Sequence, residues 1–229
     1  MADTALSKGM KVILTGATGM VGKGVLLECL DDIRIEQVLL INRSPIDIDH
    51  PKMKEILHSD FTDFSSIQND FEGFDACFHC MGVSSAGISN ETYYKLTYSV
   101  TEALVDAVYK ANPNMFFTYV SGAGTDSTEK SSTMWARVKG KTENMIFNKG
   151  FKDAYAFRPG VILPERGVKS KTTLYNSMYI LTRPIFPFLK KMKSVTTTIN
   201  IGKAMVNLIG HPQDLKLLEG DDINRLANK

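Results

Sequence analysis

Short apolar runs alternate with longer amphipathic stretches along most of this chain. The apolar runs end in glycine or polar residues, as buried strands do, and they occupy residues 11–16, 37–43, 75–82, 115–122 and 153–160. A weaker run ends within residues 56–60. Stretches with helical spacing occupy residues 19–30, 93–111 and 133–148, and the last helix is predicted at 202–210. Because continuous apolar strands separated by helices are typical of parallel sheets covered on both faces, the pattern predicts an α/β fold.

The pattern loosens after Gly160. Residues 165–200 include the proline-broken apolar stretch "RPIFPFL" and the basic stretch "LKKMKS". We interpret this segment as a cover packed on the substrate side of the sheet, and a patch that contacts a membrane surface is the weaker alternative. Since 229 residues suit one domain, we predict a single domain over residues 1–229, with residues 165–200 as its substrate cover.

The composition is that of an ordinary globular protein, with 43% hydrophobic and 23% charged residues. Its 27 basic and 25 acidic residues form no long run, so we expect no nucleic-acid partner. The first residues show no secretory signal, and no apolar stretch reaches the ~18 residues of a membrane span. Because no such span is found, we expect no membrane partner. Three cysteines are an odd number for a disulfide framework, so we expect a cytoplasmic protein.

Cys77 and Cys80 have the spacing of a redox pair or of half a zinc site. Residues three apart on a strand point to opposite faces, so these two thiols should not meet. The chain has no second cysteine pair to complete a zinc site. We therefore predict no metal site, although Cys80 should lie near any ligand bound at the end of its strand.

The stretch "TGATGMVGKG" places Gly16, Gly19 and Gly22 directly after the first predicted strand and at the start of a helix. Glycines in this position let the backbone turn sharply and approach a pyrophosphate, whose charge then meets the helix N-terminus. The loop therefore predicts a dinucleotide site. Its contact residues are predicted to be Gly16, Thr18, Gly19, Met20, Val21 and Gly22.

The end of the second predicted strand favours NADP over NAD. An NAD site usually has Asp or Glu about 20 residues after the glycines, but this chain has Asn42 followed by Arg43. A guanidinium can bind a 2′-phosphate that a carboxylate would repel. The alternative is an arginine that points into solvent. Asp60 and Phe61 either hold the adenine or serve as a helix N-cap and a core residue.

Seven stretches between residues 11 and 166 resemble the atypical and extended short-chain dehydrogenase/reductase superfamily, whose members include epimerase/dehydratase-like NAD(P)-binding proteins. They are "TGATGMVG", "INRS", "HSDF", "CMGVSSAG", "YVSGAG", "WARVKGKTE" and "FRPGVILPER". The likeness is greatest to the Tat-interacting-protein/oxidoreductase type. It implies a Rossmann-type doubly wound parallel sheet and a small-molecule substrate. It leaves a monomer and a homodimer open, because the helix at 93–111 forms the dimer in many members but can also be covered within a monomer.

The resemblance also implies roles for residues after the fourth, fifth and sixth strands. Ser121 would hydrogen-bond a substrate carbonyl, and Lys139 would bind the nicotinamide ribose. The remaining cofactor contacts would be Cys80, Met81, Gly82, Pro159, Gly160, Val161 and Ile162. In the superfamily, a tyrosine four residues before the lysine is the usual general acid. This chain has Trp135 there.

An indole N–H donates a hydrogen bond but does not titrate usefully, so Trp135 cannot perform that proton step. Three interpretations stay open. Ser132, Thr133, Ser121 or a water relayed by Lys139 could act as the acid. The substrate could instead be a conjugated acceptor that needs little acid. In both of these cases the chain is an NADP(H)-binding oxidoreductase-like protein, which is what we expect. The third interpretation, our alternative, is a non-catalytic NADP(H)-binding regulator or redox sensor that acts through a protein partner.

Overall fold

A computed structural model describes residues 9–168, 186–189 and 192–229. Nine strands are found in these ranges: β1 Met10–Thr15, β2 Ile35–Asn42, β3 Met53–Leu57, β4 Ala76–His79, β5 Phe116–Val120, β6 Asp153–Arg158, β7 Val161–Leu163, β8 Val195–Thr197 and β9 Leu217–Glu219. Seven of them form one sheet in the order β3-β2-β1-β4-β5-β6-β9, and its pairings are all parallel. The other two, β7 and β8, form a separate parallel pair.

Helices cover both faces of the large sheet. They are α1 Met20–Asp31, α2 Asn90–Tyr94, α3 Val100–Ala111, α4 Met134–Asn148, α5 Phe186–Leu189, α6 Thr198–Gly210 and α7 Gly220–Ala227. A 3₁₀ helix spans Ser65–Phe71, and a π-helical turn spans Lys95–Ser99 between α2 and α3. On one face α1 packs against α6 and α6 against α7, whereas α3 packs against α4 and the 3₁₀ helix on the other.

The apolar strands have two buried faces because successive side chains point to opposite sides of the sheet. On β1, Val12 and Leu14 belong to the core beneath α1 and α6. Ile13, between them, belongs to the second core, together with Leu104 of α3. All three β1 side chains are fully buried. This arrangement confirms the predicted α/β, Rossmann-type doubly wound parallel sheet, whose order reverses between β1 and β4.

The prediction for the last helix is wrong. Its predicted range, 202–210, is the main part of α6, which begins earlier, at Thr198, and a further helix, α7, follows a three-residue strand. A capping box forms the N-terminus of α7. The side chain of Glu219 accepts from the backbone N–H of Asp222, and the side chain of Asp222 accepts from the backbone N–H of Glu219. The strand β9 is too short to show periodicity, so it becomes a strand only by pairing with β6.

Two other predicted elements have different bounds. The helix predicted at 93–111 begins at Asn90 and is interrupted by the π-helical turn. The strand predicted at 75–82 ends at His79, which leaves residues 80–82 in the following loop. The predicted substrate cover, residues 165–200, lies largely outside the described residues and stays a prediction. Within the described ranges, no helix combines the length and the apolar character that a membrane crossing requires.

Candidate functional site

The glycine loop brings the carboxyl ends of β1 and β4 into close contact. Gly16 has a φ of +80°, and a Cβ there would lie 2.7 Å from the carbonyl carbon of Cys80 and from the amide nitrogen of Met81. A Cβ on Gly22 would lie 2.2 Å from the carbonyl oxygen of Gly16. Any side chain at these two positions would therefore force the backbone apart. The loop is closed by the amide of Gly19, which donates to the Gly16 carbonyl at 2.9 Å.

The N-terminus of α1 opens at the end of this loop. Gly19 provides no side-chain cap, and the first turn contains no acidic residue. The first amide groups of the helix are thus left for an anion. Beside them lies a cavity of about 360 Å³ lined by Gly16, Thr18, Ile41, Asn42, Arg43, Ser44, Phe61 and Met81. The donors and the space fit the pyrophosphate of a dinucleotide.

At the end of β2, Arg43 and Asn42 lie in different surroundings. Arg43 is exposed, and its guanidinium forms no hydrogen bond or ion pair with the residues that the structure describes. Asn42 is buried, and its amide donates to Oε1 of Glu55 at 2.7 Å. The amide of Ile46 donates to the same oxygen at 3.2 Å. Sequence reasoning missed Glu55, since nothing in its local pattern shows that its side chain reaches the next strand.

A second cavity of about 230 Å³ adjoins the first, and Arg43, Phe61 and Met81 line both. It has a largely apolar wall, with cations and one carboxylate at its edge. Its lining residues are Arg43, Ser59, Asp60, Phe61, Thr62, Met81, Gly82, Val83, Lys95, Leu96 and Val100. The sequence did not identify Lys95, Leu96 and Val100 as site residues, because they belong to the helical segment after β4 and reach this cavity only through the chain's topology.

Asp60 and Phe61 have structural contacts as well as places in this cavity. One carboxylate oxygen of Asp60 accepts from the amide and hydroxyl of Thr62 at 2.9 and 2.6 Å, and these bonds lower the pKa of the carboxyl. Phe61 is buried and meets the ring of Phe64 edge-on. The helix N-cap alternative for Asp60 is wrong, because the next helix begins at Ser65 and Asp60 instead closes a turn at Thr62. Phe61 is a core residue, as its alternative predicted, and both residues also line the cavity.

At the carboxyl end of β5, the hydroxyl of Ser121 faces a buried ion pair. It donates to Oε1 of Glu143 at 2.5 Å, and Arg158 donates to both oxygens of the same carboxylate, at 3.0 and 2.5 Å. Glu143 is fully buried, and Ser121 nearly so. Ser121 could bind a substrate carbonyl only by giving up this bond. Glu143 and Arg158 were missed, although Glu143 follows Lys139 by four residues and so shares its helix face.

Lys139 lies one helical turn before Glu143, and its amine donates to the backbone carbonyl of Ser121. Burial lowers the pKa of Lys139 to about 8, although the charge of Glu143 acts in the opposite direction. The amine can therefore exchange a proton near neutral pH. Its position on α4 leaves it beside the loop that follows β5, because a Cβ on Gly122 would lie 3.9 Å from Nζ.

Trp135, the single tryptophan of the chain, packs on the same loop. Gly124 has a φ of +84°, and a Cβ there would lie 3.3 Å from Cη2 of the indole. The indole is half-buried. The structure thus brings Trp135, Lys139 and Ser121 together at the end of β5. The hydroxyls of Ser132 and Thr133 precede α4 and are exposed.

The stretch after β6 lies next to the same loop. The carbonyl of Pro159 accepts from the amide of Ala123 at 2.9 Å. The amide of Val161 donates to the carbonyl of Ser194 at 3.1 Å, while about half of the Val161 surface is exposed. Two other predicted cofactor contacts, Gly160 and Ile162, flank Val161. The side chain of Val161, rather than its amide, is free for a ligand.

A model of the NAD dependent epimerase/dehydratase family matches residues 12–137, which is more than half of the chain. The chain belongs to this family. The matched residues include the glycine loop, both cavities and the start of α4. The family assignment confirms the resemblance inferred from the sequence motifs and makes this an NAD(P)-binding, oxidoreductase-like chain.

Curated relatives of this family member include Protein FMP52, mitochondrial, from Meyerozyma guilliermondii, 24% identical over 96% of both chains. Protein HTATIP2 from Rattus norvegicus is 28% identical over 68% of this chain and 64% of its own. Among solved structures, Gre2 from Candida albicans in complex with NADPH gives a TM-score of 0.68 at 13% identity over 91% and 77% of the two chains. The Bordetella bronchiseptica enzyme WbmH in complex with NAD⁺ gives 0.66 at 17% over 89% and 73%. At these identities the structures show the fold alone.

The predicted cytoplasmic location is wrong. Four of the curated fungal relatives are named as mitochondrial proteins, and one of them matches almost the whole chain. The sequence argument was too weak for the conclusion, because free thiols only disfavour a disulfide-forming compartment. All three cysteines are indeed free, and burial raises the pKa of the Cys77 and Cys80 thiols.

Proposed function

We propose that this family member binds NADP(H) in preference to NAD(H) and acts as an oxidoreductase on a small organic molecule without a tyrosine acid. The observation that carries the proposal is the exposed guanidinium of Arg43, which lines both cavities at the point where they adjoin. A carboxylate, that of Glu55, also lies near the end of β2. It accepts hydrogen bonds from Asn42 and Ile46, so one of its oxygens is already used within the protein. By similarity to the FMP52 proteins, we also propose a mitochondrial location.

In this proposal the two cavities hold the pyrophosphate and the adenosine part of the dinucleotide. The glycine loop and the open end of α1 bind the pyrophosphate. Phe61 and Met81 provide apolar surface for the adenine, and the free carboxylate oxygen of Asp60 accepts from its amino group. Arg43 then binds the 2′-phosphate of the adenosine ribose, because a guanidinium matches phosphate geometry.

The residues after β5 would serve the nicotinamide end, where bound NADP(H) supplies or accepts a hydride. Lys139 binds the ribose hydroxyls through its amine. Because its pKa is about 8, most of the amine is protonated at neutral pH, and Nζ can pass a proton to the substrate through a water. Trp135 forms one wall of the pocket and donates no proton. Glu143 and the backbone carbonyl of Phe157 accept from the Ser121 hydroxyl and keep it directed into the protein.

Replacing Arg43 by methionine is expected to weaken NADPH binding by about tenfold to a hundredfold, the range for losing hydrogen bonds to a charged group. NADH binding should change by less than about threefold, because NADH has no 2′-phosphate. Titration calorimetry measures both affinities, and quenching of Trp135 fluorescence reports whether the nicotinamide end is also filled.

The matched control is Arg225→Met, since Arg225 is exposed on α7 and pairs with Asp222 at 2.9 Å. That variant should bind both nucleotides like the wild type. The proposal is contradicted if the wild type binds NADH as tightly as NADPH, or if Arg43→Met weakens both nucleotides equally.

A non-catalytic regulator is the second candidate, and Trp135 together with the inward-facing Ser121 hydroxyl favours it. We expect Trp135→Tyr to reduce aldehydes with NADPH at a rate at least about tenfold above that of the wild type. A positioned general acid usually contributes this much or more. The control is Trp135→Phe, which has a ring but no hydroxyl. If Trp135→Tyr binds NADPH normally and stays inactive toward aldehydes and quinones, the regulator becomes the better proposal.

A further inference from the structure

Lys95 is the first residue of the π-helical turn that joins α2 to α3. Turns of this kind are rare and often occur at functional sites. The turn places Lys95, Leu96 and the following Val100 on the wall of the 230 Å³ cavity that Asp60 also lines. Lys95 is exposed, and its amine has no hydrogen-bond or ion-pair partner in the described parts of the chain.

The cavity that would hold the adenine has more positive charge on its wall than a neutral base requires. Its lining contains two cations, Arg43 and Lys95, but a single carboxylate, that of Asp60. That carboxylate carries one negative charge, so it can offset only one of the two cations. Adenine carries no charge that would offset the remaining cation. A 2′-phosphate carries up to two negative charges, so it supplies the anion that adenine lacks and can contact both Arg43 and Lys95.

We propose that Lys95 is a second cation, in addition to Arg43, that binds the 2′-phosphate of the adenosine moiety. This inference rests on the proposed NADP(H) function and deepens it by naming a residue that selects the phosphorylated ligand. The two side chains come from segments far apart in sequence, the end of β2 and the helical turn after β4. They act together only because both line one cavity.

Titration calorimetry with adenosine 2′,5′-bisphosphate and with ADP tests the role of Lys95 without any reaction of the nicotinamide. The two probes differ in the placement of phosphate, and only the first has one on the 2′ position. Lys95→Met should weaken the 2′,5′-bisphosphate by about tenfold, and ADP by less than about twofold. Lys95→Arg, which keeps the positive charge, should retain most of the wild-type affinity for the 2′,5′-bisphosphate. Lys110→Met is the matched control, because Lys110 is exposed on α3 but lines a different groove.

Two kinds of result would overturn the inference, and they are distinguishable. If the wild type prefers the 2′,5′-bisphosphate but Lys95→Met binds it equally well, or loses both probes equally, Lys95 has no phosphate-selective role while the proposed NADP(H) function stands. If the wild type does not distinguish the two probes, the preference for NADP(H) fails together with the role of Lys95. Because Lys95 is exposed, thermal unfolding of the variant should match the wild type.

Discussion

Glu143→Ala is expected to lower the free energy of unfolding by about 3–5 kcal/mol, the usual cost of removing one partner from a buried ion pair. Glu143 is fully buried, and the side chain of Arg158 is only 11% exposed. Without the carboxylate, the guanidinium stays in the interior with Ser127 Oγ at 2.5 Å and Glu219 at 4.0 Å as its remaining polar contacts. These contacts cannot replace two charge-assisted hydrogen bonds.

Urea unfolding monitored by circular dichroism measures this loss. The matched control is Asp70→Ala, which breaks the exposed pair with Lys54 and should cost no more than about 1 kcal/mol. A double replacement, Glu143→Leu with Arg158→Met, should be less destabilising than Glu143→Ala, because it leaves no charge unpaired. If Glu143→Ala is within about 1 kcal/mol of the wild type, the ion pair does not stabilise the fold as argued.

The same replacement should change the site. Glu143 accepts from the Ser121 hydroxyl, so the hydroxyl loses the acceptor that directs it inward. Because the charge of Glu143 raises the pKa of Lys139 and burial lowers it, removing the carboxylate should move this pKa below its present value of about 8. Folded Glu143→Ala protein would therefore have a less protonated Lys139 at neutral pH.

Gly140→Ala is expected to destabilise the protein by about 3 kcal/mol, at the upper end of the usual cost of overpacking. A Cβ on Gly140 would lie 1.7 Å from the carbonyl oxygen of Asp126, an overlap that only a backbone shift can relieve. Asp126 holds the loop between β5 and α4, since its carboxylate accepts from the amides of Thr128, Lys130 and Ser131. The hydrogen bond from the Thr128 hydroxyl, together with these amide bonds, lowers the pKa of Asp126 to about 2.

The backbone shift caused by Gly140→Ala should be visible at Trp135, which lies on α4 just after this loop. As the single tryptophan, it reports the change through its emission maximum, which should move to longer wavelength as the indole becomes more exposed. Thermal unfolding gives the loss of stability in the same samples. Gly210→Ala is the control, because a Cβ there meets nothing within 4 Å and alanine favours the helix. An unchanged emission maximum in Gly140→Ala would contradict the proposed link between loop and indole.

The fold was largely predictable because its main signals are local. The strands β1, β2, β5 and β6 are continuous apolar runs, and the helices between them predict that these strands pair in parallel. The elements that were missed or misplaced have weak local signals. Strand β9 has three residues. The helix α7 is short and mostly polar, and its buried residues include Ile223 and Leu226.

The site was predictable in part. Gly16 and Gly22 were identifiable because close backbone approach requires glycine at fixed spacing, and Lys139 because its stretch resembles the one that contains the superfamily's lysine. Glu55 and Lys95 carried no such signal. Each reaches the site from an element whose own sequence shows an ordinary charged surface residue.

By itself, the sequence determined that this chain forms a parallel α/β sheet with a glycine loop for a dinucleotide, and its resemblance to the superfamily predicts that Trp135 stands where other members have a tyrosine. Only the tertiary structure decided that the Ser121 hydroxyl points to Glu143 and Arg158, and that Arg43 and Lys95 line one cavity. Periodicity and residue spacing describe neighbours along one element. Partners that come from different elements are fixed by how the sheet orders its strands and how closely the helices pack on it.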